Sequence, residues 1–272
     1  MSLQLDLEGY AQRWKDQHHR WVERRQTVDV RTLDAELVDD DNIARAFVQA
    51  QHYSGSYPAA RARVALYQRG ELVGMAVFSQ PMNNKTLPKW LGLTTEGAAE
   101  LGRFVLLDEV GYNAETWFLA RAFELVRRAR GWRGIMAYSD PVMRINTDGA
   151  VVMPGHVGTI YQAHNGRYMG RSSARTLLVD RHGRVISQRA LSKIRLGECG
   201  QDYAEAQLIE LGAPARDREE PGADYVKRAL KAIDVRPTRH PGNHCYCWPL
   251  DKRLKLGRGL KFPKQIETMG GV

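Results

Sequence analysis

Three short segments concentrate side chains able to move protons or hold a reacting group. The first, Gln51-His52-Tyr53-Ser54-Gly55-Ser56-Tyr57-Pro58, places an imidazole, two phenols and two hydroxyls beside Gly and Pro. Such groups donate, accept or transfer protons, and histidine titrates near neutrality. The second, Ala137-Tyr138-Ser139-Asp140-Pro141, stands at the C-terminal end of an expected strand. Ligands of open α/β sheets bind outside such ends. The third runs from Gly155-His156-Val157-Gly158 through Thr159-Ile160-Tyr161-Gln162-Ala163 to His164-Asn165. Its glycines allow close backbone approach, and Tyr161 can reach a reacting group. Each segment also has a plain structural reading. A helix-terminal histidine caps its helix, Ser-Asp-Pro is a common turn, and a tyrosine can sit in a core with its hydroxyl bonded.

The surrounding pattern supplies elements to position these groups. A helix is expected over Asp41–His52, followed by strands over Arg63–Gln68 and Leu72–Ser79. The short Arg69-Gly70-Glu71 connection makes those strands a hairpin. After a loop holding Pro81, Pro88 and Gly92, a third strand is expected over Gly102–Leu107. A helix then starts after Asn113, buries Phe118, Ala122, Leu125 and Val126, carries Arg127, Arg128 and Arg130 in its last turn, and ends at Gly131. Strands over Gly134–Tyr138 and Arg175–Val179 flank a short helix after His156. This order predicts an α/β (α+β) domain with a mixed central sheet and flanking helices over residues 31–180.

Three regions surround that core. Residues 1–30 are expected to form a basic helix, because Tyr10, Trp14 and Trp21 share a face at helical spacing. Docking onto the core is favoured over a DNA-contacting arm. Residues 181–240 read as a helical insertion, with one helix over Ser187–Arg195, a second opening at Asp202, and a surface loop over residues 216–223. A peripheral helical pair is favoured there over a helix–turn–helix contact. Residues 241–272 supply a closing strand over Asn243–Trp248 and a basic tail. Lys252, Arg253, Lys255, Arg258 and Lys261 make that tail the candidate DNA-binding segment, flexible and following a phosphate backbone.

Composition narrows the classes. Forty Lys and Arg against 31 Asp and Glu leave a charge of +9, which attracts polyanions. No apolar run reaches the ~18 residues of a membrane-spanning helix. The N-terminus lacks a secretory h-region, so a cytoplasmic protein with no membrane partner is expected. Three cysteines are too few for a disulfide scaffold. Cys245 and Cys247 give only a weak zinc signal; alternation should put them on one strand face and His244, Tyr246 and Trp248 on the other, so no metal site is expected.

Several motifs, taken in order, resemble the Mom-type phage family. They are His52-Tyr53-Ser54-Gly55, Glu100-Leu101-Gly102-Arg103, Tyr138-Ser139-Asp140-Pro141, the stretch from Gly155 to Ala163, and the closing run from His244 to Arg253. The resemblance covers roughly residues 45–180 and 240–264. It implies an acetyltransferase-like (GNAT-like) fold and a transferase that places a carbamoylmethyl group on the exocyclic N6 amine of adenine in DNA. That modification shields phage DNA from host restriction. Double-stranded DNA and a small-molecule group donor would be its partners, in the host cytoplasm if the chain is phage-encoded; a homodimer is compatible.

By resemblance the functional positions are His52, Tyr53, Arg103, Ser139 and Tyr161, and Asp140 joins them on chemical grounds. His52 or Tyr161 would act as base, Arg103 would hold an anionic donor group or a DNA phosphate, and Ser139 and Asp140 would orient the base edge or the donor. Flipping the base out is one route to the site, with Trp90, Trp132 or Tyr168 as stacking candidates. The donor is unknown. An acyl-CoA-type donor would use Gly111, Asn113 and Ala114, but Asp108, Glu109 and Glu115 at that junction repel phosphate. Iron enters by family resemblance only, with His52 and nearby tyrosines as its candidates. Two other readings stay open: an acyl-CoA-dependent N-acyltransferase acting on an amine, including one on hypermodified DNA, and a non-enzymatic phage DNA-binding protein.

Overall fold

The computed structural model describes residues 10–15, 18–23 and 27–268. The described chain opens with β1 (Tyr10–Lys15) and β2 (His18–Glu23), an antiparallel pair. β3 (Leu33–Leu37), α1 (Asp41–Gln51) and the hairpin of β4 (Ala60–Gln68) and β5 (Glu71–Ser79) follow. Next come α2 (Thr86–Leu91), β6 (Ala98–Leu106), α3 (Ala114–Arg130) and β7 (Gly134–Ser139). β8 (Val142–Ile145), β9 (Val151–Met153), α4 (Thr159–Ala163), β10 (Arg167–Arg171), β11 (Arg175–Val179) and β12 (Val185–Ile186) continue the chain. It closes with α5 (Gln188–Leu196), α6 (Gln201–Glu210), α7 (Gly222–Ile233), β13 (Arg236–His240), β14 (His244–Pro249) and β15 (Glu267–Thr268).

These elements form two compact units. The first holds the described chain up to Pro141, with Gly155–Ser172 and Asn243–Ile266; the second holds Val142–Pro154, Ser173–Gly242 and β15. The first unit carries a seven-stranded sheet in the order β10-β14-β7-β6-β5-β4-β3. Every neighbouring pair is antiparallel except β6 and β7, which are parallel and joined through α3. This is the mixed α/β architecture that the element order implies. On one face α3 buries Phe118, Leu119, Ala122 and Val126 against Leu66, Phe78 and Ile135. On the other, α1 seats Ala44 and Val48 against Ala65, Met75, Val77 and Val105. Each such side chain contributes about 1.5–3 kcal/mol through burial, Ala less.

A bulge in β6 settles which side chains meet. Val77 of β5 pairs with Arg103, but the next residue, Phe78, pairs with Leu101, so Gly102 is the extra residue. Alternation is inverted across it. Ala99 and Leu101, then Phe104 and Leu106, belong to the α3-side core, while Val105 belongs to the α1 side. Glu100 and Arg103, three residues apart, therefore share the α1 side instead of facing opposite ways. The position admits only a close backbone approach: a Cβ there would collide with Ser79 Oγ and lie 3.2 Å from Pro58 Cγ.

The second unit holds two three-stranded sheets, β12-β11-β13 and β15-β8-β9. Its core joins Leu191 and Ile194 of α5, Ala204 and Leu208 of α6, and Tyr225, Val226, Ala229 and Ile233 of α7. Ser187 caps α5 by accepting from Ala190 N at 3.2 Å.

Four expectations change. Residues 10–15 and 18–23 are strands, not a helix; Tyr10, Trp14 and Trp21 fit helical spacing, but Tyr10-Gln12-Trp14 fits a period of two as well. The remainder of the expected helix, residues 8–9, 16–17 and 24–25, lies outside the described residues. The loop with Pro88 contains α2, because a proline in the first helical turn needs no amide partner. α7 begins inside the expected 216–223 loop, and the strands β8, β9 and β11 to β13, β11 among them expected in the central sheet, belong to the same unit as the helices of the insertion.

The basic tail is not free. Leu254 and Leu256 pack beside Leu91, Met136, Cys245 and Cys247 on one face of the sheet. Arg167 Nη1 donates to the carbonyls of Leu256 and Gly257 at 2.8 and 2.9 Å. Leu260 N donates to Tyr168 O on the edge strand β10 at 2.9 Å. Phe262 then meets Tyr246, with ring centroids 6.3 Å apart, on the opposite face. Apolar anchors at 254, 256 and 262 thus hold an ordered strap around the sheet edge. Replacing Gly102 by Ala should lower the unfolding free energy by about 1–3 kcal/mol through overpacking. A denaturant titration showing an unchanged midpoint would contradict the bulge geometry.

Candidate active site

The parallel pair β6–β7 is hydrogen-bonded only at Ala98↔Gly134, Ala99↔Ile135 and Glu100↔Met136. Beyond Glu100 the two strands run on without pairing, and the segments singled out in the sequence converge there. α1 ends at His52, whose amide donates to Val48 O at 2.9 Å, so Tyr53 follows directly off the helix. His52 and Tyr53 stack at 4.2 Å between ring centroids. Tyr53 Oη lies 3.2 Å from His156 Nε2. Arg103 is fastened to the same loop, donating from Nε to Ser56 O at 2.9 Å and from Nη2 to Ser56 Oγ at 2.7 Å.

From the other strand, Ser139 ends β7 and His156 N donates to Asp140 O at 2.7 Å, which brings the glycine-rich segment to the strand end. Gly158 takes φ +76°, and a Cβ there would lie 2.7 Å from Tyr246 Cε2, 3.0 Å from Tyr161 Cδ2 and 3.1 Å from Ser139 Oγ. A glycine is required on both counts. Gln162 braces this wall, donating from Nε2 to Val157 O at 3.0 Å, Tyr246 Oη at 3.0 Å and Pro263 O at 3.2 Å. Ser139 is 1% exposed, and its Oγ has no hydrogen-bond partner among the described residues. Leaving a buried hydroxyl unpaired costs about 1–3 kcal/mol.

His52, Tyr53, Arg103, Ser139, Asp140 and Tyr161 are thus brought together. Their protonation differs from the simple expectation. Burial, reinforced by Arg103 and His156, holds His52 well below the usual histidine range. Its Nδ1 accepts from Ser54 N at 3.1 Å, which leaves the proton on Nε2. Burial also pulls His156 down to about 4, partly opposed by Asp140. Tyr161 is pushed up by burial and by Tyr53 and Glu100, and Tyr246 is pushed up to about 12 by burial. His52 and Tyr161 are therefore neutral and weak as bases in this state, against the role expected of them.

Glu100, which opens the Glu100-Leu101-Gly102-Arg103 motif, also belongs to the site. Burial raises its carboxyl, against the attraction of Arg103. It acts electrostatically on both Arg103 and Tyr161. Sequence spacing hid it, since three residues along a regular strand place it on the opposite side from Arg103. Among the stacking candidates, Trp132 and Tyr168 are 2% and 8% exposed, and Trp90 donates from Nε1 to Tyr138 Oη at 2.9 Å. The first two are core residues with no face open for a base.

The β6–α3 junction does not fit a pyrophosphate. Asn113 stands at φ +75° before α3 without a side-chain cap, and Ala114 N turns back to Gly111 O at 3.4 Å. Asp108 and Glu109 precede this junction and Glu115 lies in the first turn of α3, so acidic residues stand in the sequence where a phosphate-binding helix start would favour neutral ones. For iron, the described residues contain no group of three or more His, Cys, Asp or Glu side chains able to hold a metal ion. Cys245 and Cys247 lie in the core cluster that holds Met136, the cross-strand neighbour of Glu100, and Tyr246 and Trp248 lie in the other, as alternation requires. No helix among the described residues is long and apolar enough to cross a membrane.

A model of the Mom protein family matches residues 36–266. No curated protein matches the chain. Solved structures give loose superpositions. A tandem GNAT protein from the clavulanic acid biosynthesis pathway is 10% identical with a TM-score of 0.39, over 79% of this chain and 97% of that one. Ribosomal-protein-S5-alanine acetyltransferase from Vibrio fischeri is 10% identical with a TM-score of 0.34, over 52% and 83%. A GNAT family acetyltransferase from Elizabethkingia anophelis, solved with acetyl-CoA bound, is 6% identical with a TM-score of 0.32, over 80% and 99%.

The lowered proton affinity of His156 makes stability depend on pH. Between about 4 and its ordinary 6.5, the unfolded chain binds a proton that the folded chain does not. Its contribution to stability is therefore complete above pH 6.5 and is lost as pH falls toward 4. Partial solvent exposure makes about 3 kcal/mol an upper limit. NMR titration of the His156 ring should give a midpoint well below 6, and His156→Gln should flatten the stability profile across this window; a midpoint near 6.5 would contradict the burial.

Proposed function

Because this chain belongs to the Mom protein family, we propose that it is a DNA-modifying transferase acting on the exocyclic N6 amine of adenine, with the reaction carried out where β6 and β7 part. The observation that carries this reading is the set of groups gathered there. A buried hydroxyl without a partner at Ser139 stands with a raised carboxyl at Glu100 and a cation at Arg103, among neutral tyrosines and histidines. An amine whose lone pair is delocalised into a ring needs orientation, proton removal and charge stabilisation together.

In this reading the N6 nitrogen forms a bond to the electrophilic carbon of the donor, and the bond from that carbon to its leaving group breaks with the electron pair departing on the leaving group. The N6 proton passes to the Glu100 carboxylate, whose proton affinity burial raises above that of an ordinary carboxylate. Ser139 Oγ holds the base edge. Arg103 binds the anionic part of the donor, as an arginine does for carboxylate or phosphate. His52 contributes an Nε2–H as a fixed donor, and Tyr161 lines the pocket with its proton retained. The base reaches these groups by leaving the stack. The donor is written here only as an electrophilic carbon with its leaving group, since the acidic β6–α3 junction departs from a phosphate-binding turn.

Nucleoside mass analysis of plasmid DNA from cells expressing the chain tests the proposal. A new deoxyadenosine species should appear, its mass giving the transferred group. Glu100→Gln should reduce it by about 10²–10⁴-fold, in the range of a lost general base. Ser139→Ala and Tyr161→Phe should reduce it less. Unmodified adenine in all samples, with the protein well expressed and bound to DNA, would favour a plain DNA-binding protein.

A further inference from the structure

The strap that wraps the β10 edge carries Lys252, Lys255, Arg258, Lys261 and Lys264, one cation every third residue. All five are exposed. None forms an ion pair among the described residues. By contrast Arg253 is held by Asp251 at 2.9 Å, so its charge is compensated locally. The residues between the cations do the anchoring: Leu254 and Leu256 on one face, Leu260 on the edge, and Phe262 and Pro263 on the other. Charge and attachment thus alternate along the strap.

Its two ends are distinctive. At the start, Lys252 and Arg253 join Arg127 and Arg133 in lining an open groove of about 760 Å³ at the C-terminal end of α3. At the finish, Pro263 O is held by Gln162, the residue that also braces Val157 and Tyr246 in the wall of the candidate site. The cations therefore lead from one end of β7 to the pocket at the other.

We infer that this strap is a rail for the phosphates of duplex DNA, which leads the backbone from the α3 groove to the mouth of the candidate site. The inference rests on the proposal that the chain acts on DNA, and it adds where the duplex lies. A three-residue step can span up to about 10 Å of extended chain, which allows successive cations to reach separate phosphates. An ordered row loses less freedom on binding than a flexible tail, so its contacts are made in register with the pocket. The linear arrangement favours a backbone over a membrane surface.

The test is the salt dependence of binding between the full chain and a 30-base-pair duplex. Each phosphate neutralised adds about 0.9 to the slope of log affinity against log salt. Lys255→Gln/Arg258→Gln/Lys261→Gln should make the slope shallower by about 2.7 and weaken binding at least roughly tenfold. A control of equal charge, Arg218→Gln/Lys227→Gln/Lys231→Gln in the second unit, should leave the slope near that of the parent. Equal changes in both variants, or no change in either, would overturn the rail. So would strap-dependent binding to phosphatidylserine vesicles without strap-dependent binding to duplex. Mass analysis separates this from the functional proposal: a modified base with an unchanged slope sinks the rail alone, and a reduced slope with no modified base sinks the transferase reading alone.

Discussion

One extra residue in a strand governs the candidate site. Gly102 inverts the alternation of β6, so that Glu100 and Arg103 fall on the same side while Leu101 and Phe104 both remain in the core. Without that bulge, either the carboxylate or the guanidinium would be driven into the face packed by α3. The collision awaiting any Cβ at this position, against Ser79 and Pro58, ties the bulge to the loop that also holds Arg103 through Ser56. Backbone geometry, loop attachment and the pairing of charges are therefore one constraint.

The end of β6–β7 pairing at Glu100↔Met136 is the second condition. Residues from both faces of the sheet can meet only where the sheet is open. Ser139 and Tyr161 come from the α3 side, and His52, Glu100 and Arg103 from the α1 side. Burial then sorts their protonation. It disfavours every charged form, which leaves the imidazoles and phenols neutral and raises the carboxyl above the usual carboxylate range. A site in which most groups are held neutral and one carboxylate is poised suits removal of a proton from a weak nucleophile.

Much of the first unit was legible in the sequence. The hairpin of β4 and β5, helix α3 with its Gly131 terminus, and β7 ending at Ser139 follow from periodicity and from Gly and Pro. The six candidate site residues came instead from short, ordered motifs that resemble the Mom-type family, with Asp140 added on chemical grounds. Glu100 was not legible as a site residue, because its role depends on a bulge that no spacing rule reveals. The strap was misread as flexible, since its glycines, proline and charge resemble a tail; the apolar residues at 254, 256, 260 and 262 were the signal of attachment. The N-terminal strands differ from the expected helix because Tyr10 and Trp14 satisfy a helical and a strand period at once. In the second unit, α7 carries Tyr225, Val226, Ala229 and Ile233 at helical spacing, but Pro221 and Gly222 masked its start.

In the proposed reaction an adenine is held in the gap between β6 and β7. A crystal structure of the chain with a short adenine-containing duplex tests it most directly. The account predicts an extrahelical adenine whose N6 lies within about 3.2 Å of the Glu100 carboxylate, with Ser139 Oγ bonded to the base edge. Adenine left stacked in the duplex, or bound away from Glu100 and Ser139, would contradict it.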